Sequence, residues 1–281
     1  MPSELPVPTL DHVVVNARDR IDDAADTYRR LGFTLTPRGY HTLGSMNHLA
    51  MFGTDYLELI AAKPNDDSRP EIMSAPFGLN GLVFGTEDAT ATYQALQANA
   101  VPIDAPQQFS RSVQIGEATR DAVFRTTRLQ HAATPAGRLY FCQHLTRGAV
   151  WRDEWRHHAN GAVGVARAVI AAEDPRTLGA LFTRMFGPRS VRPTDDGCSL
   201  ILGLSRFDVV TPAAIWEMFG GAAPDSRGRR DYMAALTIRT LSLDAVETVL
   251  DAGNIKGWDR IGTSILVPAP EAFGVTIEFS V

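Results

Sequence analysis

The stretch that decides the fold is Leu10-Asp11-His12-Val13-Val14-Val15, a β-rich run that leads into a helical pattern ending at Gly32. The apolar residues of that pattern recur at helical spacing and would share one face: Ile21, Ala24, Ala25, Tyr28 and Leu31. The segment closes on a second apolar run, Tyr56-Leu57-Glu58-Leu59-Ile60. It therefore predicts a strand, an amphipathic helix and further strands, with His12 and Glu58 on two strands of one small sheet.

The same order of opening strand, helix and closing strand recurs three more times along the chain. The opening strands are Leu82-Val83-Phe84, Val165 to Ile170, and Ala235 to Ile238. The closing strands are Leu139 to Gln143, Phe207 to Val210, and Val275 to Phe279. Asp174-Pro175 and Ser242 are helix-start signals in the third and fourth copies. The sequence thus predicts an α+β fold of four βαβββ units.

The spacing of the copies predicts two domains. Position 12 aligns with positions 81, 167 and 235, so the steps are 69, 86 and 68 residues. The longer middle step contains the stretch from Trp151 to His158, which is typical of an interdomain connection. We therefore expect an N-terminal domain at 8–148, a linker at 149–159 and a C-terminal domain at 160–281, each made of two units.

The composition narrows the class of protein. The net charge is −5 and no run of five basic residues occurs, so nucleic acid is not the expected partner. No stretch of about 18 apolar residues is present to span a bilayer, and the first residues lack an apolar leader. We expect a cytoplasmic protein whose two cysteines, Cys142 and Cys198, stay reduced.

The βαβββ unit, with His in the first strand and Glu in a closing strand such as Tyr56 to Ile60, resembles the vicinal oxygen chelate superfamily. That group includes glyoxalase I, bleomycin-resistance proteins and extradiol dioxygenases. The stretch from His41 to Leu59 is more narrowly similar to the glyoxalase-like domain of many bacterial proteins. So are Tyr140 to His144 and the segment from Trp151 to Gly161. The resemblance covers essentially the whole chain.

The resemblance implies that paired units form a curved sheet, open on one side, around a cleft. It also implies a divalent ion such as Zn, Ni, Mn or Fe, held by the first-strand His and last-strand Glu of each unit. The first unit matches with His12 and Glu58. The second has Gly81 and, counting four residues from Gly137, Phe141. Two interpretations stay open: His12 and Glu58 are metal ligands, or they are a general base and its orienting partner.

Six further residues are candidates for binding a substrate in this cleft. Tyr56 and Phe141 could form an aromatic wall, and Gln143 follows Phe141 on the same face of a regular strand. Arg111 and Arg128 lie on predicted strands and could anchor an anion. His48 could contribute if a bulge shifts its register, and under the same condition His144 could be recruited as a further ligand.

The second half has Arg167, Asp208, Ala235 and Glu278 at the equivalent positions. Arginine is not a metal ligand, so we expect a degenerate site there. Our hypothesis is that Arg167 bridges Asp208 and Glu278 in place of a cation. The alternative is that Arg167 receives a substrate carboxylate.

The function implied by the resemblance is that of a lyase or isomerase acting on a small oxygenated molecule. Two alternatives stay open: a non-catalytic protein that sequesters a small molecule, and an extradiol-type dioxygenase. The expected partner is a small-molecule substrate or ligand. Homodimers are frequent in the superfamily, although four units in one chain can supply intramolecularly what shorter relatives obtain by dimerising.

Overall fold

The computed structural model describes residues 5–63 and 68–281, and these residues form two sheets of eight strands. The first sheet contains β1 (Leu10–Asn16), β2 (Gly39–Tyr40), β3 (Ser45–Met51), β4 (Tyr56–Ala62), β5 (Gly78–Gly85), β6 (Gln107–Ile115), β7 (Ala118–Arg128) and β8 (Arg138–His144). The second contains β9 (Ala162–Ala171), β10 (Val191–Thr194), β11 (Gly197–Leu202), β12 (Ser205–Val210), β13 (Tyr232–Thr240), β14 (Asp259–Ile261), β15 (Ser264–Val267) and β16 (Thr276–Ser280).

The helices of the described chain complete four βαβββ units, as the sequence predicts. They are α1 (Ile21–Arg30), α2 (Pro70–Ser74), α3 (Ala89–Ala98), α4 (Pro175–Phe186), α5 (Pro212–Phe219) and α6 (Leu243–Ala252). The predicted caps are present: Asp174 accepts from the Arg176 amide, and Ser242 accepts from the Ala245 amide. Each such cap stabilises its helix by about 1 kcal/mol.

The strand order is the same in both sheets. In each unit the first strand pairs with the last in parallel, as β1 does with β4 and β9 with β12. The two units of a sheet join antiparallel through their first strands, β1 with β5 and β9 with β13. The α+β class and the paired units are therefore confirmed.

One hydrophobic core lies between the two sheets and unites them. Phe84 and Phe141 of the first sheet contact Phe186 of α4, and Phe84 also contacts Phe207 of the second sheet at 5.6 Å between ring centroids. The opposite face of each sheet carries its own smaller apolar cluster. The two halves thus share an interior.

The outer faces of the sheets differ in a way that matters for the site. In the first sheet the edges nearly meet, because His41 and Arg111 form a β-bridge and the Thr42 amide donates to the Ser110 carbonyl. In the second sheet α5 lies on the equivalent face and buries Ile215 and Phe219 against it. The first face carries a partly open cavity, and helical side chains cover the second.

The last strand of the first sheet ends at His144 and the next begins at Ala162, so we propose that the boundary between domains 8–148 and 160–281 falls in residues 149–159. Within the described residues, the structure contains no helix long and apolar enough to cross a membrane.

Candidate active site

His12 and Glu58 converge, as the sequence predicts. They stand on the adjacent parallel strands β1 and β4, two positions apart in register, because His12 pairs with Tyr56 and Val14 with Glu58. His12 Nε2 lies 3.6 Å from Glu58 Oε2, and both side chains are buried. The His12 ring stacks on Tyr56 at 4.4 Å between centroids. The imidazole is therefore fixed in position and presents Nε2 to the carboxylate.

A bulge in β1 brings a second carboxylate to the same imidazole. Leu10 pairs with Phe84 and His12 with Val83, so Asp11 is an extra residue on its strand. Without the bulge, alternation would turn Asp11 away from His12. Instead, Asp11 Oδ2 lies 2.6 Å from His12 Nδ1. Sequence reasoning missed Asp11 because nothing in the residue pattern marks the bulge.

Asp11 also binds a second histidine. His144 Nε2 lies 3.0 Å from the same Oδ2. Burial favours the neutral acid and raises the pKa of Asp11. The charge of His144 and the hydrogen bonds from both imidazoles outweigh this effect and hold the pKa below its ordinary value. Asp11 is therefore a carboxylate, and it accepts a hydrogen bond from each ring.

The residue of β8 that faces His12 is Tyr140, which corrects the expectation for Phe141. The pairing of Gly81 with Arg138 and of Val83 with Tyr140 repeats that of His12 with Tyr56 and of Val14 with Glu58. Tyr140 thus occupies the carboxylate position of the second unit, and its hydroxyl lies 3.2 Å from His12 Nε2. Phe141 points into the shared core and is fully buried there. The count from Gly137 was wrong by one residue. A shift of one residue along a strand places each side chain on the opposite face of the sheet.

His12, Tyr56, Glu58 and Tyr140 line a small, partly open cavity of about 40 Å³ on the outer face of the first sheet. Asn47 donates to Glu58 Oε1 at 2.6 Å, and His41 contacts Ser45 and Asn47. Burial raises the pKa of Glu58, but His12 and the Asn47 hydrogen bond outweigh it, with a further contribution from His41 when that ring is protonated, and leave the pKa lowered. Burial lowers the pKa of His41 to about 4. The cavity therefore holds an ionised Glu58 and a neutral His41.

Four arginines line the cavity. The structure places Arg111 and Arg128 on its wall, together with the predicted Tyr56, and adds Arg69 and Arg138. Arg69 donates to Glu71 and Ser45. Arg138 stands beside Asn80 and opens β8, two residues before Tyr140 on the same face. Correct alternation from Tyr140 would have found Arg138; for Arg69 the sequence carries no signal.

His48 and Gln143 lie elsewhere, which corrects two further expectations. His48 Nδ1 contacts the Thr36 carbonyl at 2.8 Å, and Arg38 stands at its other ring nitrogen. Gln143 contacts the Glu87 carbonyl and the Ala89 amide at the start of α3. Neither side chain lines the cavity, because each follows the alternation of its strand to the other face.

In the second sheet, Arg167 pairs with one acid only. Its guanidinium binds Asp208, which also accepts from Ser199 and Arg206. Glu278 instead accepts from Thr237 at 2.7 Å, and no ion pair joins it to Arg167 in the described residues. The expected bridge is therefore wrong for Glu278. Arg167 Nη2 also approaches Met218 Sδ of α5 at 3.8 Å, so the covering helix packs on the Arg167–Asp208 pair.

The residues at the family's metal position do not fit the ion. Gly81 has no side chain that could bind a metal, and a Cβ at this position would lie 2.9 Å from the Cβ of Val14. Tyr140 could bind a metal only as a phenolate, and burial raises its pKa well above the ordinary value. The arginines of the wall add repulsion to a further cation. His12 and Glu58 alone fall short of the three protein ligands that catalytic sites keep.

A second set of potential metal ligands lies beside His12 and Glu58. Asp11, Cys142 and His144 each place one ligand atom within 4.8 Å of the others, and carboxylate, thiol and imidazole are types that hold transition metals. Asp11 Oδ2 is engaged by both imidazoles, and burial raises the pKa of the Cys142 thiol. Of the two positions, the group of Asp11, Cys142 and His144 is the one whose residue types suggest a metal.

The family of the chain follows from a comparison with protein-family models. The model of the glyoxalase-like domain matches residues 10–186, more than half of the chain. The chain belongs to the glyoxalase-like domain family. No curated protein matches it.

Solved structures share the fold of this glyoxalase-like protein. A hypothetical protein from Staphylococcus aureus superposes with a TM-score of 0.66 at 13% identity, over 98% of this chain and 99% of the other. A xylose isomerase-like TIM barrel/4-hydroxyphenylpyruvate dioxygenase fusion protein gives 0.60 at 13% identity, over 100% and 50%. A mutant 4-hydroxymandelate synthase from Streptomyces coelicolor gives 0.59 at 12% identity, over 98% and 92%. The architecture is that of the vicinal oxygen chelate superfamily.

Proposed function

We propose that this protein is an isomerase or lyase that moves a proton on a small oxygenated substrate, with His12 as the general base. The observation that carries the proposal is that two contacts hold the His12 imidazole: the Asp11 carboxylate at Nδ1 and the stacked Tyr56 ring. Asp11 accepts from Nδ1, so the neutral ring keeps its proton there and leaves Nε2 as the acceptor, 3.2 Å from the Tyr140 hydroxyl at the cavity. A base must face the proton it removes, and the position of His12 Nε2 on the cavity wall supports this role.

The reaction would proceed on the residues of the cavity. Nε2 of His12 takes a proton from a carbon next to a substrate carbonyl, and the C–H electron pair moves to the carbonyl oxygen as an enolate. His12 then returns the proton to a different carbon, which gives an isomer, or to a leaving group, which completes an elimination. Glu58, at 3.6 Å from Nε2, stabilises the imidazolium formed in between. Glu58 remains a carboxylate for this role because its pKa is lowered.

Hydrogen-bond donors of the cavity can stabilise the negative charge that develops on the enolate oxygen. The Tyr140 hydroxyl lies within hydrogen-bond distance of His12 Nε2 and would donate to the enolate oxygen instead once the ring is protonated, and the guanidiniums of Arg111 and Arg138 stand on the cavity wall. Preorganised donors in a dry site stabilise an oxyanion far better than the same donors do in water. They supply the electrostatic role of a Lewis acid without an ion at the His12 position.

Deuterium exchange tests the proposal while the substrate is still unidentified. A panel of small 2-oxo and 2-hydroxy carbonyl compounds is incubated with the protein in D2O, and NMR reports exchange of protons next to the carbonyl. At least one compound should exchange in the wild type and stop doing so in His12→Gln. His131→Gln, at an exposed position, is the matched control. Exchange that survives His12→Gln would exclude His12 as the base.

A non-catalytic binding protein is the second candidate, and the incomplete metal position favours it. With Gly81 in place of a ligand, the cavity could hold a molecule without transforming it. The same panel separates the two functions, since a compound that binds in titration calorimetry yet exchanges no proton supports sequestration. For an extradiol-type dioxygenase, the position offers one imidazole and one carboxylate where two imidazoles and a carboxylate are needed.

A further inference from the structure

The arginines of the cavity outnumber the carboxylates available to them. Arg69 lies 2.6 Å from Glu71, and Arg128 lies 4.0 Å from the same carboxylate and over the Tyr140 ring. These two share one partner, and two guanidiniums remain, on Arg111 and Arg138. Glu58 is near both, but it already receives Asn47 and faces His12. The wall therefore carries excess positive charge.

Arg111 is the clearest case. It lies on β6, is 4% exposed, and its Nε is buried without a hydrogen-bond partner. Among the described residues it forms no ion pair. A cationic side chain in such surroundings is normally paired, because the loss of its hydration has to be offset by a bound anion or acceptor.

Arg138 repeats the pattern from β8, which β7 separates from β6 in the sheet. Its Nε donates to the Asn80 side chain at 3.2 Å, and its Nη2 is buried with no partner. No carboxylate of a described residue forms an ion pair with it. Arg111 and Arg138 thus face one cavity from two strands, each with an unused donor.

We propose that the substrate carries a compact dianionic group, seated between Arg111 and Arg138. Two unpaired guanidiniums match two negative charges, and their planar forks bind clustered oxygens bidentately. A phosphate group or a pair of close carboxylates has this chemistry. A compact group also suits the small size of the cavity, about 40 Å³. The inference rests on the proposed function for the identity of the site and deepens it by naming the substrate class.

Anion binding tests this directly. Titration calorimetry at fixed ionic strength compares inorganic phosphate, malonate and acetate as probes. We expect phosphate or malonate to bind at least tenfold more tightly than acetate, and which of the two binds better distinguishes a phosphate group from a dicarboxylate. Equal binding of all three would show that only a single charge is read, and would overturn the proposal.

Variants locate the binding. Arg111→Gln and Arg138→Gln should each weaken the preferred dianion at least tenfold, whereas Arg120→Gln, on the exposed part of β7, should leave it unchanged. Arg111→Lys retains the charge and should bind with intermediate affinity, which covers the case in which Arg111→Gln does not fold. Unchanged binding in both Arg111→Lys and Arg138→Gln would contradict the assignment.

His12→Gln separates this inference from the proposed function. Dianion binding that persists in His12→Gln, in a protein that exchanges no substrate proton even as wild type, leaves the anion site standing and removes the enzymatic proposal. Proton exchange on uncharged compounds with no dianion preference does the reverse.

Discussion

Asp11 and His12 are neighbours on one strand, yet the Asp11 carboxylate lies 2.6 Å from His12 Nδ1. The bulge at Asp11 makes this contact possible, since alternation would otherwise place the two side chains on opposite faces. A carboxylate at Nδ1 selects the tautomer whose Nε2 can accept a proton. The contact therefore favours the His12 tautomer that the mechanism we propose requires.

Asp11→Asn should reverse that tautomer. The amide of Asn can donate to Nδ1, so the proton of the neutral ring would move to Nε2 and the base would be lost. We expect proton exchange to fall by on the order of 10²–10⁴-fold with the fold intact. Long-range ¹⁵N–¹H NMR of the His12 ring reports the tautomer directly, and Asp19→Asn on the surface is the control. An unchanged tautomer in Asp11→Asn would show that Asp11 does not orient His12.

Arg111→Met should stabilise the unliganded protein. The substitution keeps an extended side chain and removes a buried charge without a partner among the described residues. Because replacement of costly buried charges by apolar groups is often stabilising, we expect the free energy of unfolding to rise by about 1–2 kcal/mol. Urea unfolding in a buffer without multivalent anions measures it. Arg120→Met should change stability by less than about 0.5 kcal/mol. A loss of stability in Arg111→Met would indicate that Glu58 already neutralises the guanidinium.

Asp55 should make stability depend on pH. This buried acid accepts from the Val165 amide at 2.9 Å, and burial raises its pKa to about 6. The native state therefore holds its proton longer than the unfolded chain does. The contribution of Asp55 to stability is greatest below pH 4 and declines as pH rises from about 4 to 6, by up to about 3 kcal/mol.

Asp55→Asn removes this dependence, because the amide oxygen can still accept from Val165 and carries no charge. The variant should be more stable than the wild type at pH 8, and that advantage should shrink at pH 5. Urea unfolding at the two pH values tests the difference. If Asp55→Asn loses the same stability at both, Asp55 is held as a carboxylate by the nearby Arg239 charge.

Metal content separates the two donor sets. We expect protein purified without added metal to show no ion that depends on His12, and chelators to leave proton exchange unchanged. Elemental analysis of the wild type, His12→Ala and His144→Ala makes the comparison. A stoichiometric metal lost only in His144→Ala would assign it to the group of Asp11, Cys142 and His144. A metal lost in His12→Ala would refute our interpretation of the family's position.

Local patterns predicted the architecture because each repeat carries its own signals. The period of the α1 face, the caps at Asp174 and Ser242 and the four apolar closing runs act over a few residues. The convergence of His12 and Glu58 followed from the parallel pairing of β1 with β4. The helices α2 and α5 were not predicted; Thr211-Pro212, a cap followed by proline, was an available signal for α5.

The composition of the cavity was harder to predict because it depends on register. One residue decides between Tyr140 and Phe141, and no local preference distinguishes two aromatic residues in a strand. The bulge at Asp11 and the arrival of Arg69 from the segment before α2 depend on tertiary packing. The strand positions of Arg111 and Arg128 were enough to place them on the wall, whereas Gln143 required a correct count from Tyr140.

The phenylalanines that fill the space between the two sheets have an evolutionary consequence. A gene fragment ending within residues 149–159 would encode a half whose Phe84 and Phe141 face water, and large apolar surfaces of this kind promote aggregation. Loss of the second sheet during evolution would therefore expose Phe84 and Phe141 to water, whether or not that sheet has a site of its own.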